Sequence, residues 1–235
     1  MSFYESLYPF YDKIFPLNQQ AATFLLSHFH RDATILDVGS GTGNMAIALA
    51  KEGLKVTAIE PEQAMANDIL SKADAEGVSV EVQTKTMEQI GQLDETYDGI
   101  YCVGNTLPHL QSMTEIQRFL EQCFAKLNKG GTLIIQTVNF DKFLASDNFS
   151  FPVIEKEDFK FERKYESLGG KVQFTAILTT NGKSSTNTIP LFPVTAKVLV
   201  PLLEKAGFKE INVFGNFKGE AHSVKSPALV VVAEV

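Results

Sequence analysis

The sequence predicts an α/β fold: a doubly wound, seven-stranded, mostly parallel sheet with an antiparallel β cap inserted after the fifth strand. Three observations carry this. The apolar run Ile35 to Val38 ends in the turn Gly39-Ser40-Gly41-Thr42-Gly43 and passes straight into a helical pattern from Asn44. Strand-like and helix-like stretches then alternate as far as Val138, as a parallel sheet requires when each crossover is a helix. From residue 139 the pattern changes to alternating apolar and polar runs separated by Gly169-Gly170 and Asn181-Gly182. Such dipeptides between alternating runs signal antiparallel hairpins.

The glycine turn has a chemical reading. A backbone without Cβ turns sharply and lets a ligand approach closely. The helix that follows presents unpaired N–H groups over the turn. Leu54 to Ile59 forms a second apolar strand ending in Glu60. A carboxylate there can accept both hydroxyls of a ribose. The two pieces together read as a site for an adenosine-containing cofactor. The spacing is G-x-G-x-G, whereas the nicotinamide fingerprint is G-x-G-x-x-G. Asn44 stands where its third glycine would fall.

Asp37-Val38-Gly39-Ser40-Gly41-Thr42-Gly43, followed by Glu60-Pro61, resembles the class I S-adenosylmethionine-dependent methyltransferases. The resemblance implies a Rossmann-like methyltransferase fold with S-adenosylmethionine as cofactor. It places Asp37, Gly39, Ser40, Gly41, Thr42 and Gly43 at the methionine end and Glu60 at the ribose. Pro61, Met65 and Val103 join the expected cofactor-binding set. Thr86 stands where the family usually has an aspartate for the adenine amino group, with Met87 placed to pack on the ring. Tyr11-Asp12 resembles a Tyr-Asp pair that many such enzymes carry before their first core helix, so Tyr11 is expected at the cofactor as well. Gly104-Asn105-Thr106-Leu107-Pro108-His109-Leu110 resembles the Gly-Asn-Ser-x-x-His-Leu stretch of small-molecule N-methyltransferases acting on glycine and sarcosine. That narrower likeness implies a small acceptor. Tyr8, Asn105, His109 and Arg163 are the candidate acceptor-binding residues.

The chain's 235 residues suit one α/β domain with an appended subdomain. The expected division is a cofactor-binding core of residues 1–138 and 195–235, with a cap of residues 139–194 over the acceptor. Hydrophobic content of 44% is ordinary for a globular protein. A net charge of −7 argues against gripping nucleic acid through its phosphates. Cys102 and Cys123 both lie in apolar patterns without metal-ligand spacing, and read as buried thiols. Glu5 and Asp12 lie in an aromatic-rich opening segment without a basic-then-apolar leader, and no apolar run reaches membrane-spanning length. A cytoplasmic protein is the expectation. The oligomeric state is not legible.

In chain order, Phe3, Leu7, Phe10, Tyr11 and Ile14 share one helical stripe, with Tyr4, Tyr8 and Phe15 alongside. This segment reads as an aromatic flap on the sheet edge or as a lid over the cofactor, and the two are compatible. A helix is expected from Asn18 to Phe29, burying Ala22, Leu25, Leu26 and Phe29, with His28 and His30 on the surface near its end. Glu62 to Ala75 reads as a helix with Met65, Ile69 and Leu70 inward, stopped by Gly77. Val78 to Val82 and Tyr97 to Val103 read as the third and fourth strands. Ser112-x-x-Glu115 is a capping box opening an amphipathic helix to Leu127. Thr132 to Val138 follows as the fifth strand. A three-stranded meander then carries Phe159, Phe161, Arg163 and Tyr165 on one face. Thr195 to Ala206 is a helix that Pro201 should kink or shift. A sixth strand to Phe214 and a seventh from Ala228 to Ala233, with no helix between, allow an antiparallel hairpin at the sheet edge.

His109 is a candidate general base, or a loop histidine bonded to backbone. A guanidinium on an apolar face needs an anionic partner. For Arg163 that partner is either an internal carboxylate or one on the acceptor. Two other classes stay open at this level: an NAD-dependent oxidoreductase, disfavoured by the glycine spacing and edge hairpin, and a non-catalytic S-adenosylmethionine-binding protein.

Overall fold

The structure, a computed structural model, describes residues 7–146 and 149–235. The expectations on Phe3, Tyr4 and Glu5 lie outside the described residues. A seven-stranded sheet is built from β1 (Thr34–Val38), β2 (Lys55–Ile59), β3 (Val80–Gln83), β4 (Tyr97–Cys102), β5 (Leu127–Val138), β10 (Lys209–Phe214) and β11 (Ala228–Glu234). Its spatial order is β10-β11-β5-β4-β1-β2-β3. The pairs β1–β2, β2–β3, β1–β4 and β4–β5 are parallel, while β11 runs antiparallel to both β5 and β10. The expected edge hairpin is therefore present.

Successive strand residues face opposite sides of a sheet, and each side has its own core. On one side Leu36, Val38, Ile100, Cys102 and Ile135 pack with α5 (Met113–Lys126) and α7 (Ala196–Ala206). On the other, Ile35, Tyr101, Ile134 and Val230 pack with α2 (Gln19–Leu26), α3 (Asn44–Lys51) and α4 (Gln63–Ala75). The sheet is thus doubly wound. Cys102 and Cys123 are both free thiols at full burial. Among the described residues no helix is long and apolar enough to cross a membrane.

Several local expectations change. Asn18 caps α2 by accepting from Ala21 N, so the helix starts one residue later than expected; it also ends at Leu26. Phe24 is buried in it, with its ring against Phe214 and Phe217, whereas Leu26 is only partly buried. Leu70 is 51% exposed, because Met65, Ala66, Ile69 and Ala73 take the inward stripe and the next position turns to solvent. Ser112 Oγ accepts from Glu115 N as a capping box requires, but the Glu115 carboxylate reaches back to Gln111 N, one residue beyond the cap. β5 begins at Leu127, so the chain enters it directly from α5. Thr195 caps α7, which runs unbroken through Pro201. Pro201 is solvent-facing while Leu199 and Leu203 are fully buried, so apolar anchoring on both sides offsets the missing hydrogen bond.

Between β5 and α7 lie α6 (Phe140–Leu144) and an antiparallel sheet of four strands, one more than expected: β6 (Ile154–Glu155), β7 (Lys160–Leu168), β8 (Lys171–Thr180) and β9 (Lys183–Leu191). Two-residue pairing is too short to leave a periodic signal, which is why β6 escapes sequence reading. The hairpin turns fall at Gly169-Gly170 and Asn181-Gly182 with positive φ at all four positions, as their composition demands. Phe159, Phe161, Phe174 and Leu178 form a separate apolar cluster with Leu7 and Ile14 of the N-terminal segment and with Phe140 and Phe143 of α6.

Candidate active site

β1 and β2 pair so that Asp37 lies beside Ala58 and Val38 beside Ile59. Beyond them the glycine turn folds over the strand end: Gly39 N and Ser40 N both donate to Ile59 O, at 2.9 and 3.1 Å. Two of its glycines are required by close approach. A Cβ at Gly39 would lie 2.4 Å from Thr106 Cγ2, and one at Gly41 would lie 2.9 Å from the Tyr11 hydroxyl. Both have positive φ, which other residues adopt at a cost. Gly43 is the N-cap residue of α3.

Glu60 is buried, its Oε2 accepting from Gly41 N at 2.8 Å and its Oε1 from Glu62 N at 3.0 Å. Burial pushes its carboxyl up to about 7, against the pull of those two N–H groups. Asp37 is buried likewise, and burial pushes it to about 7 as well, with the Glu60 charge adding to the effect. Asp37 and the buried Tyr101 hydroxyl lie close to each other, and among the described residues neither Asp37 Oδ2 nor that hydroxyl finds a further partner. A buried carboxylate lining a crevice with an oxygen to spare suits a cationic donor group.

Three cavities surround this turn. The first, of about 300 Å³, is lined by Tyr11, Gly39, Glu60, Pro61, Met65, Thr86, Met87, Val103 and His109. The second, of about 350 Å³, runs past Asp37, Ser40, Thr42, Asn44, Gln136 and Phe217. The third, of about 150 Å³, lies under the β cap and is lined by Asn105, His109, Arg163, Tyr165 and Phe174 among others. Tyr11 and Gly104 line all three, so the cavities meet there.

Most of the sequence-predicted residues are therefore brought together. Gly41 and Gly43 shape the turn without lining a cavity, the first beneath Tyr11 and the second against Ile69. Thr86 N donates to Gln89 Oε1 at 2.9 Å in the cap of a short 3-10 turn, Met87–Gln92. Tyr8 is the exception: its hydroxyl donates to Asp68 Oδ1 on α4 at 3.0 Å, and it lines none of the three cavities. His109 sits in the 3-10 turn Leu107–His109, and burial lowers its pKa to about 4. The ring is neutral at neutral pH and a poor proton acceptor.

Sequence reasoning omitted Asp12 from the site. Its carboxylate accepts from Thr42 Oγ1, from Asn44 Nδ2 at 2.9 Å and from Lys72 Nζ at 2.8 Å. Burial opposes its ionisation, but the bonds from Lys72 and Thr42 win and hold it below the usual carboxylate range. Asp12 thereby pins the N-terminal segment to the glycine turn, while Phe10 and Phe15 pack on Phe159 and Phe161 of the cap. The segment is a flap that reaches both the crevice and the cap. Gln136, whose Oε1 accepts from Gly104 N at 2.8 Å, was also missed. The Tyr11-Asp12 pair was a signal for the first; nothing in the sequence marks the second.

Residues 35–131 match the model of a family described as "Methyltransferase domain". That match spans 97 of the chain's 235 residues. Together with the relatives and solved folds that follow, it supports a class I S-adenosylmethionine-dependent methyltransferase. The methyltransferase is 23% identical over 203 residues to the glycine/sarcosine N-methyltransferase of Aphanothece halophytica, covering 82% of this chain and 72% of that one. It is 33% identical over 108 residues to the ubiquinone biosynthesis O-methyltransferase of Rickettsia felis, a match limited to 46% of this chain and 42% of the relative. The solved CcbJ methyltransferase of Streptomyces caelestis superposes with a TM-score of 0.84 at 20% identity, covering 99% of this chain and 97% of that one. At that identity the likeness shows the fold alone. S-adenosylmethionine is the methyltransferase's cofactor, and the buried Asp37 carboxylate lining the second cavity fits its ammonium group. The nicotinamide and non-catalytic alternatives are set aside.

Proposed function

We propose that the methyltransferase moves the methyl group to a small-molecule acceptor, at nitrogen or oxygen, by in-line displacement. The observation that supports this most is the meeting of three cavities at Tyr11 and Gly104. In this reading Glu60 holds the ribose hydroxyls in the first cavity, with Met65, Thr86, Met87 and Val103 around the adenine. Asp37 receives the ammonium in the second. The acceptor occupies the third, beneath the cap, with the reacting carbon at the junction.

When bound, S-adenosylmethionine supplies a methyl group on a positive sulfur, already activated for displacement. The chain's part is to fix two partners in line and keep water out. Positioning of this kind is worth roughly 7–11 kcal/mol of barrier. Tyr11 and Phe15 close the junction from the flap, and Phe174 and Tyr165 from the cap. An amine acceptor needs no side-chain base, since its ammonium form can lose a proton to water before attack, and a histidine held near 4 is badly matched to that task. Asn105, His109 and Arg163 are thus acceptor-binding groups in this account, and Tyr8 leaves that set.

Incubation with labelled S-adenosylmethionine and a panel of small amines and alcohols should give products heavier by one methyl. Failure of every acceptor class, with the cofactor bound, would count against the small-molecule reading. Glu60→Ala removes hydrogen bonds to a charged acceptor worth about 1.5–3 kcal/mol each. Cofactor affinity should fall at least roughly tenfold by calorimetry. An unchanged affinity would place the ribose elsewhere.

A further inference from the structure

The parallel pairing of β1 with β4 sets Asp37 directly beside Tyr101, and Ala58 of β2 flanks it on the other side. Paired residues of a parallel sheet share a face, so the carboxyl and the phenol stand next to each other. Along the sheet the alanine offers only a methyl group. Tyr101 is 0% exposed and Asp37 2%. Asp37 lines the second cavity and Tyr101 lines none of the three. The phenol therefore lies behind the carboxyl and reaches the crevice only through it.

The core does not require that hydroxyl. The Tyr101 ring belongs to the cluster of Ile35, Ile134 and Val230, where a phenylalanine ring would pack as well. A hydroxyl buried away from water costs stability unless a polar group meets it. Asp37 is the carboxyl beside it, and among the described residues neither the hydroxyl nor Asp37 Oδ2 has a further partner. Burial, with the Asp37 charge adding to it, holds the phenol well above its ordinary range. The proton stays on the oxygen, so the hydroxyl can donate.

Asp37 has few allies against burial. Glu60 beside the turn repels its charge, and Tyr11 of the flap and Cys102 of β4 are the other titratable groups around it. No residue lining the second cavity is cationic. Of the neighbours that favour the ionised carboxyl, the Tyr101 hydroxyl has the largest effect, followed by Ser40.

We propose that Tyr101 is a positioning residue of the cofactor site, its hydroxyl donating to the Asp37 carboxylate from behind, stabilising the anion and leaving the other oxygen to the cofactor's ammonium. The inference rests on the reading of Asp37 as the ammonium's partner. A hydrogen bond to the charged form favours that form, so removing the hydroxyl raises the pH at which Asp37 ionises. Where the free carboxyl is already ionised, the change costs little. Where binding must first expel its proton, the change costs more.

The test titrates S-adenosylhomocysteine by calorimetry into the wild-type chain and Tyr101→Phe, at pH 6 and at pH 8.5. Phenylalanine keeps the ring, and a cooperative melt checks that the variant is folded. The ratio of the two affinities at each pH cancels the ligand's own titration. Tyr101→Phe should cost about threefold or more at pH 6, equivalent to half a pH unit in the carboxyl, and less than about 1.5-fold at pH 8.5. A merely structural role would lower affinity by the same factor at both. Equal factors, or no loss at either pH, overturn the proposal. Asp37→Asn supplies the second arm. It should weaken S-adenosylhomocysteine at pH 8.5, and in its background Tyr101→Phe should show no pH-dependent loss. A pH-dependent loss that persists without the carboxylate sinks this inference alone. Unchanged affinity in a folded Asp37→Asn removes the ammonium reading, and this inference falls with it.

Discussion

Gly39→Val is expected to cripple both the fold and the cofactor site. The first added carbon already falls 2.4 Å from Thr106 Cγ2, a contact no packed pair tolerates, and valine adds two methyl groups beyond it. Thr106 cannot swing away freely, since its hydroxyl donates to Val103 O at 3.1 Å and its χ1 is stiff. The backbone at Gly39 has φ +73, which costs a side-chain-bearing residue about 1–2 kcal/mol. Overpacking adds about 1–3 kcal/mol. For a chain of this length the sum should lower the melting temperature by roughly 5–15 °C. The turn would also separate from the Gly104 loop, where all three cavities meet, so cofactor affinity should fall by about two orders of magnitude or more. Scanning calorimetry and a cofactor titration read the two effects. Near-wild-type values for both would mean that the turn and the Thr106 loop are not packed as described.

The second large effect is on pH. Asp37 and Glu60 are buried side by side, and burial raises both to about 7 from unfolded values near 4. The folded apoprotein therefore binds more protons than the unfolded chain across that interval, so its stability falls as pH rises from about 4 to about 7. Each group contributes on the order of 3 kcal/mol to that loss, and the coupling between them makes the sum a property of the pair. The cofactor reverses the balance. A ribose and an ammonium favour the ionised carboxylates, so binding expels protons, and affinity should drop as pH falls below about 7. The slope should approach tenfold per pH unit for each carboxylate involved. Once both carboxylates are ionised they add no further slope, and affinity should fall again only as the cofactor's own ammonium loses its proton. Calorimetry in buffers of different ionisation enthalpy would count the protons directly. Binding at pH 6.5 with no proton release would show that neither carboxylate faces the cofactor.

Much of this was legible in the sequence because it is encoded locally. The glycine turn, Glu60 at the second strand tip and the Gly-Gly and Asn-Gly hairpins each announce themselves within a few residues. Helices between successive strands imply parallel pairing, and their absence between Phe214 and Ala228 marked the edge hairpin correctly. What escaped is held by side chains distant along the chain. Tyr8 and Tyr11 are alike in sequence, yet one turns to Asp68 on α4 and the other to the glycine turn. The Tyr11-Asp12 pair marked Asp12 without showing what it holds, because Thr42, Asn44 and Lys72 gather round it only in the fold. For Arg163, periodicity gave the correct face of the strand but not the answer to its charge. The Phe151 ring, over which its guanidinium lies, belongs to an irregular stretch of the cap, where no period could place it.

The central claim is that the turn, Asp37 and Glu60 form an S-adenosylmethionine site. Titration of the wild-type chain with S-adenosylhomocysteine and with NAD at pH 8 tests it most directly. The account predicts one S-adenosylhomocysteine bound per chain, weakened at least roughly tenfold by Glu60→Ala, and no measurable heat from NAD. NAD binding more tightly than S-adenosylhomocysteine, or neither binding, would contradict it.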